Sequence, residues 1–389
     1  MSDSSHAIHE KPERPFCVVI NGIHAKSGGG VTYLRKVLPE LAKQKNMILH
    51  LLLHEDQFEL FYPIDDNIKV TVFTFHPSFF STFIWEQFSL PLIARAMGAD
   101  VVFSPANYGP IMARNHVILL RNAVSVIRHI DRLKPALYWT MLSVATLMSF
   151  ITAKRAIAVS NYAARILSFS MPQVLKRRLS VVYHGATPVT PARDPKISSN
   201  RDLLAVSDIY IQKNYHTLIE AFAETTKHHP DLILNIVGRE IDIHYGDRVR
   251  ALVKKLGLTE SVHFHGHLEM TEIIDMYRKC HIFVFPSVVE TFGNPLLEAM
   301  SAGAPIACSR TAAMPEVIDD AGLLFDPYNA SDISEKIEML LNDPELRNTL
   351  GQRALERSRH FTWERTAQET AKVLRDAAGE KALAPQHFR

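Results

Sequence analysis

Residues 281–309 decide the fold, and they read HIFVFPSVVETFGNPLLEAMSAGAPIACS. Positions 282–285 form a continuous apolar run that stops at a proline, which predicts a short strand buried on both faces of a parallel sheet. A loop follows, and Pro295 suits the first position of a helix because proline has no N–H to leave unpaired there. Gly303 ends that helix and 304–307 begins the next strand. The loop should therefore lie at the carboxyl edge of the sheet, where open α/β sheets bind ligands.

Two acidic residues flank this loop. Glu290 lies at its mouth, and Glu298 follows eight positions later in the predicted first helical turn, so both carboxylates can face one crevice. The amides of Phe292, Gly293 and Asn294 can point into the same crevice. Carboxylates accept hydrogen bonds from sugar hydroxyls and a helix N-terminus binds anions, so the pattern suits a sugar joined to phosphate. A simpler interpretation is that both acids only favour the helix dipole and the glycine only makes a turn.

The segment 290–305, ETFGNPLLEAMSAGAP, closely resembles the carboxyl-terminal signature of family-4 retaining glycosyltransferases of the GT-B fold, the group 1 glycosyltransferases, including their Glu-x7-Glu element. The resemblance implies an α/β protein with two Rossmann-like, doubly wound parallel-sheet domains facing a central cleft. It implies that Glu290 is catalytic and holds sugar hydroxyls, while Glu298 holds the ribose. The positions that it assigns to donor binding in this segment are Thr291, Phe292, Gly293, Asn294, Pro295, Leu296 and Glu298.

The composition is that of a folded chain long enough for two domains: 389 residues, of which 47% are hydrophobic and 22% charged. The net charge is only +2, so bulk nucleic-acid binding is not expected. None of the three cysteines has a metal-ligand spacing, and two lie in strand-like runs, which suggests reduced thiols in a cytoplasmic protein. Residues 1–15 are polar, and we expect a disordered tail rather than a secretory signal.

One apolar segment leaves three alternatives open. Residues 135–153 carry no charge and are bounded by Lys134 and by Lys154-Arg155, so their length would allow a membrane span. Several Pro, Thr and Ser residues lie within the segment, and a strand-like run follows it at once. These features favour a buried helix over a helix on a membrane surface, and either of these over a span.

The predicted first domain, 16–190, begins with a strand at 16–20, a glycine-rich loop and a periodic helix from Val31, the usual phosphate-binding arrangement. As a dinucleotide fingerprint the loop is incomplete, because Tyr33 stands where the third glycine should be. The family resemblance implies instead that Gly29 and Gly30 approach the phosphates of the donor. Further strands are predicted at 47–53, 70–74, 101–103, 117–120, 156–159 and 179–182, with helices between them, which indicates a doubly wound sheet.

Arg121, Asn122 and Ala123 follow the predicted strand at 117–120. Relatives in the family carry a histidine near this point that faces the donor sugar, and Asn122 stands in its place as a catalytic candidate. An amide can donate or accept a hydrogen bond but cannot titrate, so Asn122 could not act as a base. We expect an interdomain linker at 191–201, a second domain at 202–360, a helix at 361–378 that crosses back to the first domain, and a loose tail at 379–389.

The start of the second domain resembles the family's Gly-Arg-x4-Lys segment, whose two cations neutralise the donor diphosphate. Lys213 matches the lysine and is a catalytic candidate, whereas Ser207 and Asp208 stand where glycine and arginine are common. Ser207 is still a donor-binding candidate, and Arg239 is the candidate for the missing cation. His267 is expected to contact the nucleotide base. Imidazoles at 263, 265 and 267 could also bind a metal ion, although no carboxylate or cysteine is suitably placed nearby.

We therefore expect a retaining hexosyltransferase that moves a hexose such as mannose from a GDP- or UDP-linked sugar to a glycan or lipid-linked acceptor. No Asp-x-Asp motif occurs, so no metal or other cofactor is expected. We expect a cytoplasmic protein that can contact the inner face of the membrane, without a nucleic-acid partner. One alternative is a sugar-nucleotide-binding protein without turnover, which Asn122 and Asp208 keep open. A second, a nicotinamide-dependent oxidoreductase, is disfavoured by the incomplete glycine fingerprint.

Overall fold

The computed structural model describes residues 14–26, 28–76, 78–121, 133–168, 171–190 and 201–379. Most of the two predicted tails and of the predicted linker lies outside these ranges. Asn122 lies outside them as well.

The first sheet has seven parallel strands in the order β3-β2-β1-β4-β5-β6-β7. Its order reverses between β1 and β4, which makes a crevice at the carboxyl ends of those strands. Bulky apolar side chains fill both faces, as expected of a parallel sheet covered by helices. The strands are β1 Phe16–Asn21, β2 Met47–His54, β3 Ile68–Phe73, β4 Val101–Ser104, β5 His116–Leu120, β6 Arg155–Ala158 and β7 Leu179–Val181.

The helices of this half begin close to their predicted positions, with one difference. Residues 28–30, expected in a loop, form the first turn of α1, so three glycines stand at a helix N-terminus. Ser160 is the N-cap of α6 and accepts a hydrogen bond from the Ala163 amide at 2.9 Å. The helices are α1 Gly28–Ala42, α2 Phe58–Phe61, α3 Phe79–Ile84, α4 Leu90–Ala96 (joined to α3 by a π-helical turn, Trp85–Ser89), α5 Leu133–Thr152, α6 Asn161–Leu167 and α7 Gln173–Lys176.

The second sheet has six parallel strands in the order β10-β9-β8-β11-β12-β13, and it reverses between β8 and β11. The predicted strand, loop, helix and strand of the opening stretch are β11, α11 and β12. The fold class of two doubly wound parallel-sheet domains is confirmed. The elements are β8 Asp202–Val206, α8 Tyr215–Thr225, β9 Ile233–Val237, α9 Ile243–Lys255, β10 Val262–Gly266, α10 Met270–Lys279, β11 Ile282–Phe285, α11 Asn294–Ser301, β12 Ile306–Ser309, α12 Met314–Ile318, β13 Leu323–Phe325, α13 Ala330–Asn342 and α14 Pro344–Ser358.

The uncharged segment 135–153 forms most of α5, which is buried on one side only. Leu142 and Phe150 are buried, whereas Val144 and Met148 are 55% and 44% exposed. In the part of the chain that the structure describes, no helix combines the length and the apolar character needed to cross a bilayer. From residue 140 onward, the helix expected at 135–153 is buried on one face and exposed on the other.

A terminal helix, α15 Trp363–Ala378, leaves the second half of the chain and packs on α1 and on the first sheet. Thr366 Oγ1 donates to the Tyr183 carbonyl at 2.7 Å, and the Ala186 amide donates to the Phe361 carbonyl at 2.8 Å. Leu374 is fully buried in the same core as the first sheet. This is the crossing that the sequence predicts.

A second contact joins the two halves at Glu316. Its carboxylate accepts hydrogen bonds from the amides of Asn161 and Tyr162, at 2.7 and 3.0 Å, and from the Tyr183 hydroxyl at 2.8 Å. Glu316 therefore caps the N-terminus of α6 in the other domain, where a negative charge is favourable. Burial, together with this carboxylate, raises the pKa of Tyr183 to about 12.

Gly185 makes the closest backbone approach between α15 and the first domain, because a Cβ there would collide with the backbone of Thr362 and Trp363. We predict that Gly185→Ala lowers the free energy of unfolding by about 1–3 kcal/mol, since backbone has to move. Urea unfolding would measure this. Gly29→Ala is the matched control, because its Cβ would have nothing nearer than Asn294 Nδ2 at 3.7 Å. Equal losses in the two variants would contradict the prediction.

Candidate functional site

The carboxyl edges of the two sheets face each other across a cleft of about 630 Å³. This volume is in the range of pockets that hold a ligand of nucleotide size. The first turn of α1 and the end of β5 line one wall, and the ends of β8 and β9 with the loop after β11 line the other. Twelve of the sequence-predicted site residues line the cleft: Gly29, Gly30, Ser207, Lys213, His267, Glu290, Thr291, Phe292, Gly293, Asn294, Pro295 and Glu298.

The cleft contains a nearly buried ion pair between Lys213 and Glu290, whose Nζ and Oε1 are 2.5 Å apart. Lys213 ends a 3₁₀ turn, and the left-handed backbone of Asn214 (φ 58°) starts α8 directly after it. Burial alone would lower the pKa of Lys213, but the Glu290 carboxylate outweighs burial and raises it. The lysine therefore stays charged, and its charge is already matched by the acid expected to hold the sugar.

The loop after β11 is fixed by its backbone and by contacts to the first domain. Gly293 has φ 94°, which favours glycine, and it caps α11. Thr291 Oγ1 donates to the Arg121 carbonyl at 2.5 Å, and Ser160 Oγ donates to the Thr291 carbonyl at the same distance. In the first turn of α11, Pro295 has no N–H, and the amides of Leu296 and Leu297 donate to the Gly293 carbonyl at 3.0 and 3.2 Å. The amides that can serve a ligand at this edge are therefore those of Phe292, Gly293 and Asn294, where the loop meets the helix.

Glu298 is the fifth residue of α11, one position further along the helix than predicted, because the helix begins at Asn294 rather than at Pro295. Its carboxylate accepts a hydrogen bond from the Tyr277 hydroxyl at 3.2 Å. Burial raises the pKa of Glu298 and outweighs the lowering by Tyr277. The carboxyl group therefore lies at the wall of the cleft in a dry environment, where a hydroxyl donor would stabilise its ionised form.

Two residues that were predicted to bind the donor, Arg239 and Leu296, do not present a side chain to the cleft. Arg239 was expected to supply the missing cation, but its Nε and Nη2 contact the Asp208 carboxylate at 3.3 and 3.2 Å, and it does not line the cleft. That prediction is wrong, because a closer acid binds the guanidinium. Leu296 is fully buried in the core below the loop, so only its backbone could reach a ligand.

Two residues that line the cleft, Arg121 and His184, were not among the predicted site residues. Arg121 follows β5 directly and lines the cleft, next to the Asn122 that the family pattern singled out. His184 lies across from it, with Nδ1 3.0 Å from Asn294 Oδ1 and its ring stacked on Trp363 at 5.8 Å. His184 could have been noticed in the sequence because it stands before Gly185, where the resemblance leads one to expect asparagine. Arg121 could have been noticed because it follows the predicted strand at 117–120 directly.

The three alternating histidines do not form a metal centre in the structure. His265 Nε2 is 2.8 Å from Asn235 Oδ1, and His267 lines the cleft. Among the described residues, no group of three or more His, Cys, Asp or Glu side chains is placed to hold a metal ion.

Comparison with known proteins identifies the family of the second domain. Residues 190–357 match the family model described as glycosyl transferases group 1. The O-antigen chain mannosyltransferase B of Escherichia coli is 32% identical over 163 residues, which are 41% of this chain and 42% of that protein. The serotype-specific mannosyltransferase WbdA of Escherichia coli is 29% identical over 221 residues, 55% of this chain and 26% of that protein. The matched part thus spans less than half the length of these relatives.

Solved structures share the fold over nearly the whole chain. Anabaena Alr3699/HepE in complex with UDP and glucose has a TM-score of 0.70 at 19% identity, covering 92% of this chain and 98% of that one. WaaG, a glycosyltransferase involved in lipopolysaccharide biosynthesis, has a TM-score of 0.69 at 16% identity, covering 92% and 99%. At such identities the likeness establishes the arrangement of the two domains and nothing finer.

The buried His184 should make stability fall in acid. Burial, which outweighs the hydrogen bond to Asn294, lowers its pKa from 6.5 to about 4. The folded state therefore prefers the neutral ring, and stability present above pH 6.5 is lost as the pH falls toward 4, by about 3 kcal/mol. Urea unfolding of wild type and His184→Gln at pH 7 and 4.5 would measure this, with the exposed His228→Gln as control. Equal losses in wild type and His184→Gln would refute the prediction.

Proposed function

We propose that this chain, whose residues 190–357 form a group 1 glycosyl transferase domain, transfers a hexose from a nucleoside-diphosphate sugar to a saccharide acceptor. The observation that carries the proposal is the cleft. Two helix N-termini, α1 and α11, a buried lysine and two carboxylates converge there from both domains. Anion-binding amides beside hydroxyl-binding acids suit a sugar joined to phosphate.

Each part of the cleft has a chemical task in this reaction. Glu290, held by Lys213, accepts hydrogen bonds from the hydroxyls of the transferred sugar. Glu298 accepts bonds from the ribose. The amides of Gly293 and Asn294 at the start of α11 and the charge of Lys213 stabilise the diphosphate as the glycosidic bond breaks, which is electrostatic catalysis by groups that need no reorganisation.

We propose retention of the anomeric configuration, with the acceptor entering on the face that the diphosphate leaves. The leaving phosphate then takes the proton of the acceptor hydroxyl. This assignment follows the family resemblance of residues 290–305. It gives Glu290, paired with Lys213, and Glu298, bonded to Tyr277, the task of binding hydroxyls. We further propose that the reaction needs no metal ion.

We propose mannose as the sugar and a growing surface polysaccharide or lipid-linked saccharide as the acceptor. The support is the similarity to mannosyltransferases of O-antigen synthesis. The donor nucleotide is GDP or UDP.

A cytoplasmic location is supported by Cys17, Cys280 and Cys308. These are buried thiols, none of them in a disulfide, of the kind found in reducing compartments.

Replacing Glu290 should separate donor binding from turnover. We predict that Glu290→Gln lowers kcat about 100- to 1,000-fold, because it removes a charge that acts on the reacting sugar and leaves Lys213 unmatched. The assay is release of nucleoside diphosphate from a panel of GDP- and UDP-sugars with saccharide acceptors, with and without EDTA. Glu240→Gln is the control, since that acid pairs with Arg250 away from the cleft.

The same assay tests the alternatives. Wild-type binding without release would favour a sugar-nucleotide-binding protein, and dependence on nicotinamide would favour an oxidoreductase. Loss of turnover in EDTA that a divalent ion restores would refute the metal-independent reaction.

We further propose that one side of the first domain lies on a membrane. Four large apolar residues of α3, α4 and the π-helical turn between them follow each other at four-residue steps, and each is more than half exposed. On α5, five more apolar residues are about 40–55% exposed. These nine residues form what we call the outer ridge: Phe80, Ile84, Phe88, Leu92, Met141, Val144, Leu147, Met148 and Ile151.

The two halves of the outer ridge belong to one side of the domain. Gln87, in the π-helical turn, donates from Nε2 to the Gly109 carbonyl at 3.2 Å, and the Gly109 amide donates to Ser149 of α5 at 3.1 Å. Both helical segments therefore flank the same loop. Met112, in that loop, is 68% exposed as well.

The net charge of residues 101–190 is positive and therefore complementary to an anionic bilayer. From 101 to 190 the sequence has eleven Lys or Arg residues and a single acid, Asp131, although the whole chain is nearly neutral. Arg95, Arg114 and Lys154 are exposed near the ends of the ridge elements. An apolar surface with basic flanks is the pattern of proteins that lie on anionic lipid. Such docking would bring the cleft to a lipid-linked acceptor.

We predict that the double variant Phe88→Ser and Leu92→Ser lowers binding to anionic vesicles at least about tenfold, because two large apolar side chains no longer enter the interface. Co-sedimentation with phosphatidylglycerol vesicles would measure this. Ile241→Ser with Ile243→Ser is the matched control, as both residues are equally exposed on the other domain. Equal binding of the two double variants would contradict the proposed surface, and turnover of a water-soluble acceptor should stay unchanged in both.

A further inference from the structure

Arg121 occupies a position at which the two domains and a helix N-terminus meet. It follows the carboxyl end of β5, and its guanidinium lies against the first turn of α1. A Cβ on Gly30 would collide with both terminal nitrogens of the guanidinium. Its backbone carbonyl accepts the hydrogen bond from Thr291, the residue next to Glu290. Arg121 is thus tied to the loop expected to hold the sugar.

The guanidinium has no counter-charge within the part of the chain that the structure describes. Its Nε is sealed from solvent and without a hydrogen-bond partner among these residues. The other two Lys or Arg side chains in the described cleft wall are both paired, Lys213 with Glu290 at 2.5 Å and Lys26 with Asp56 at 3.1 Å. Burial lowers the pKa of Arg121, but an arginine remains charged at neutral pH.

This arrangement places the positive charge of the Arg121 guanidinium against the positive end of the α1 dipole. The N-terminus of the fifteen-residue helix α1 carries partial positive charge, and the unpaired guanidinium lies directly beside it. A buried charge without a partner is costly, so the site as it stands is stabilised by an anion. Gly28, Gly29 and Gly30 add no side chains that would exclude one.

We propose that Arg121 is the cation that binds a phosphate group at the first turn of α1, where the family resemblance already places the donor phosphates. The inference rests on the proposed function and deepens it. Arg121 would supply, from the first domain, the second cation that the second domain lacks at Asp208 and Arg239, which neutralise each other. The phosphate comes either from the diphosphate of the donor or from a phosphorylated acceptor.

Binding measurements on Arg121 variants test the proposal without requiring turnover. Calorimetric titration with GDP, UDP, GMP and UMP would be compared for wild type, Arg121→Gln and Arg121→Lys. Because charge-assisted bonds to phosphate are lost, we expect Arg121→Gln to weaken nucleoside diphosphate binding about 10- to 100-fold. The loss of affinity should be smaller for the monophosphates. Arg121→Lys should recover part of the affinity for the diphosphates. Gly30→Ala should act in the same direction, since its Cβ displaces the guanidinium. Arg250→Gln is the control, because Arg250 pairs with Glu240 away from the cleft, and it should change affinity less than twofold.

The arms of the experiment separate the two sources of phosphate. If Arg121→Gln leaves nucleotide binding unchanged but raises KM for a phosphorylated acceptor at constant kcat, the acceptor provides the phosphate. Unchanged nucleotide affinity together with unchanged acceptor KM, in a variant that unfolds at the wild-type urea midpoint, would overturn the proposal. A wild type that binds nucleoside diphosphate but transfers no sugar would refute the proposed function and leave this inference standing.

Discussion

The cleft forms where hydrogen bonds between the two domains hold the edges of their sheets opposite each other. The Glu316 carboxylate of one domain lies at the N-terminus of α6 in the other, and the Thr291 backbone and hydroxyl bond to Ser160 and Arg121. A charge at a helix end contributes about 0.3–2 kcal/mol, depending on its burial. Apolar contacts act beside them, because the Phe292 ring of the second domain lies 5.1 Å from the His184 ring and 6.2 Å from the Tyr183 ring of the first. The arrangement of the two domains therefore depends on both kinds of contact.

The electrostatics of the cleft follow from which charges are already matched. Lys213 and Glu290 neutralise each other, and so do Asp208, at the cleft wall, and Arg239, which does not line it. The positive potential that is not already matched comes from helix ends and from Arg121, and it adds to the paired charge of Lys213. The same reasoning explains why the nearly neutral total charge gave no hint of the basic first domain. Acids concentrated elsewhere in the chain conceal it.

The sequence predicted what is local. The 281–309 stretch fixes its own strand, turn and helix through apolar runs, Gly293 and Pro295, and all of these are present. Arg239 was predicted wrongly because the pattern places it at the correct sheet edge, but the partner that binds it, Asp208, is close only in the folded chain. Glu298 shifted by one helical position because the helix begins at Asn294 rather than at Pro295. Arg121 became evident only once α1 lay above β5.

The crossing of α15 has a consequence for the order in which the chain can fold. Its residues Ala367 and Leu374 complete the core formed by the first sheet and α1. During synthesis, the first half of the chain emerges from the ribosome long before residues 363–378 do. An apolar face of the first sheet therefore stays uncovered while the whole second domain is translated, and this interval is when the nascent protein depends most on chaperones.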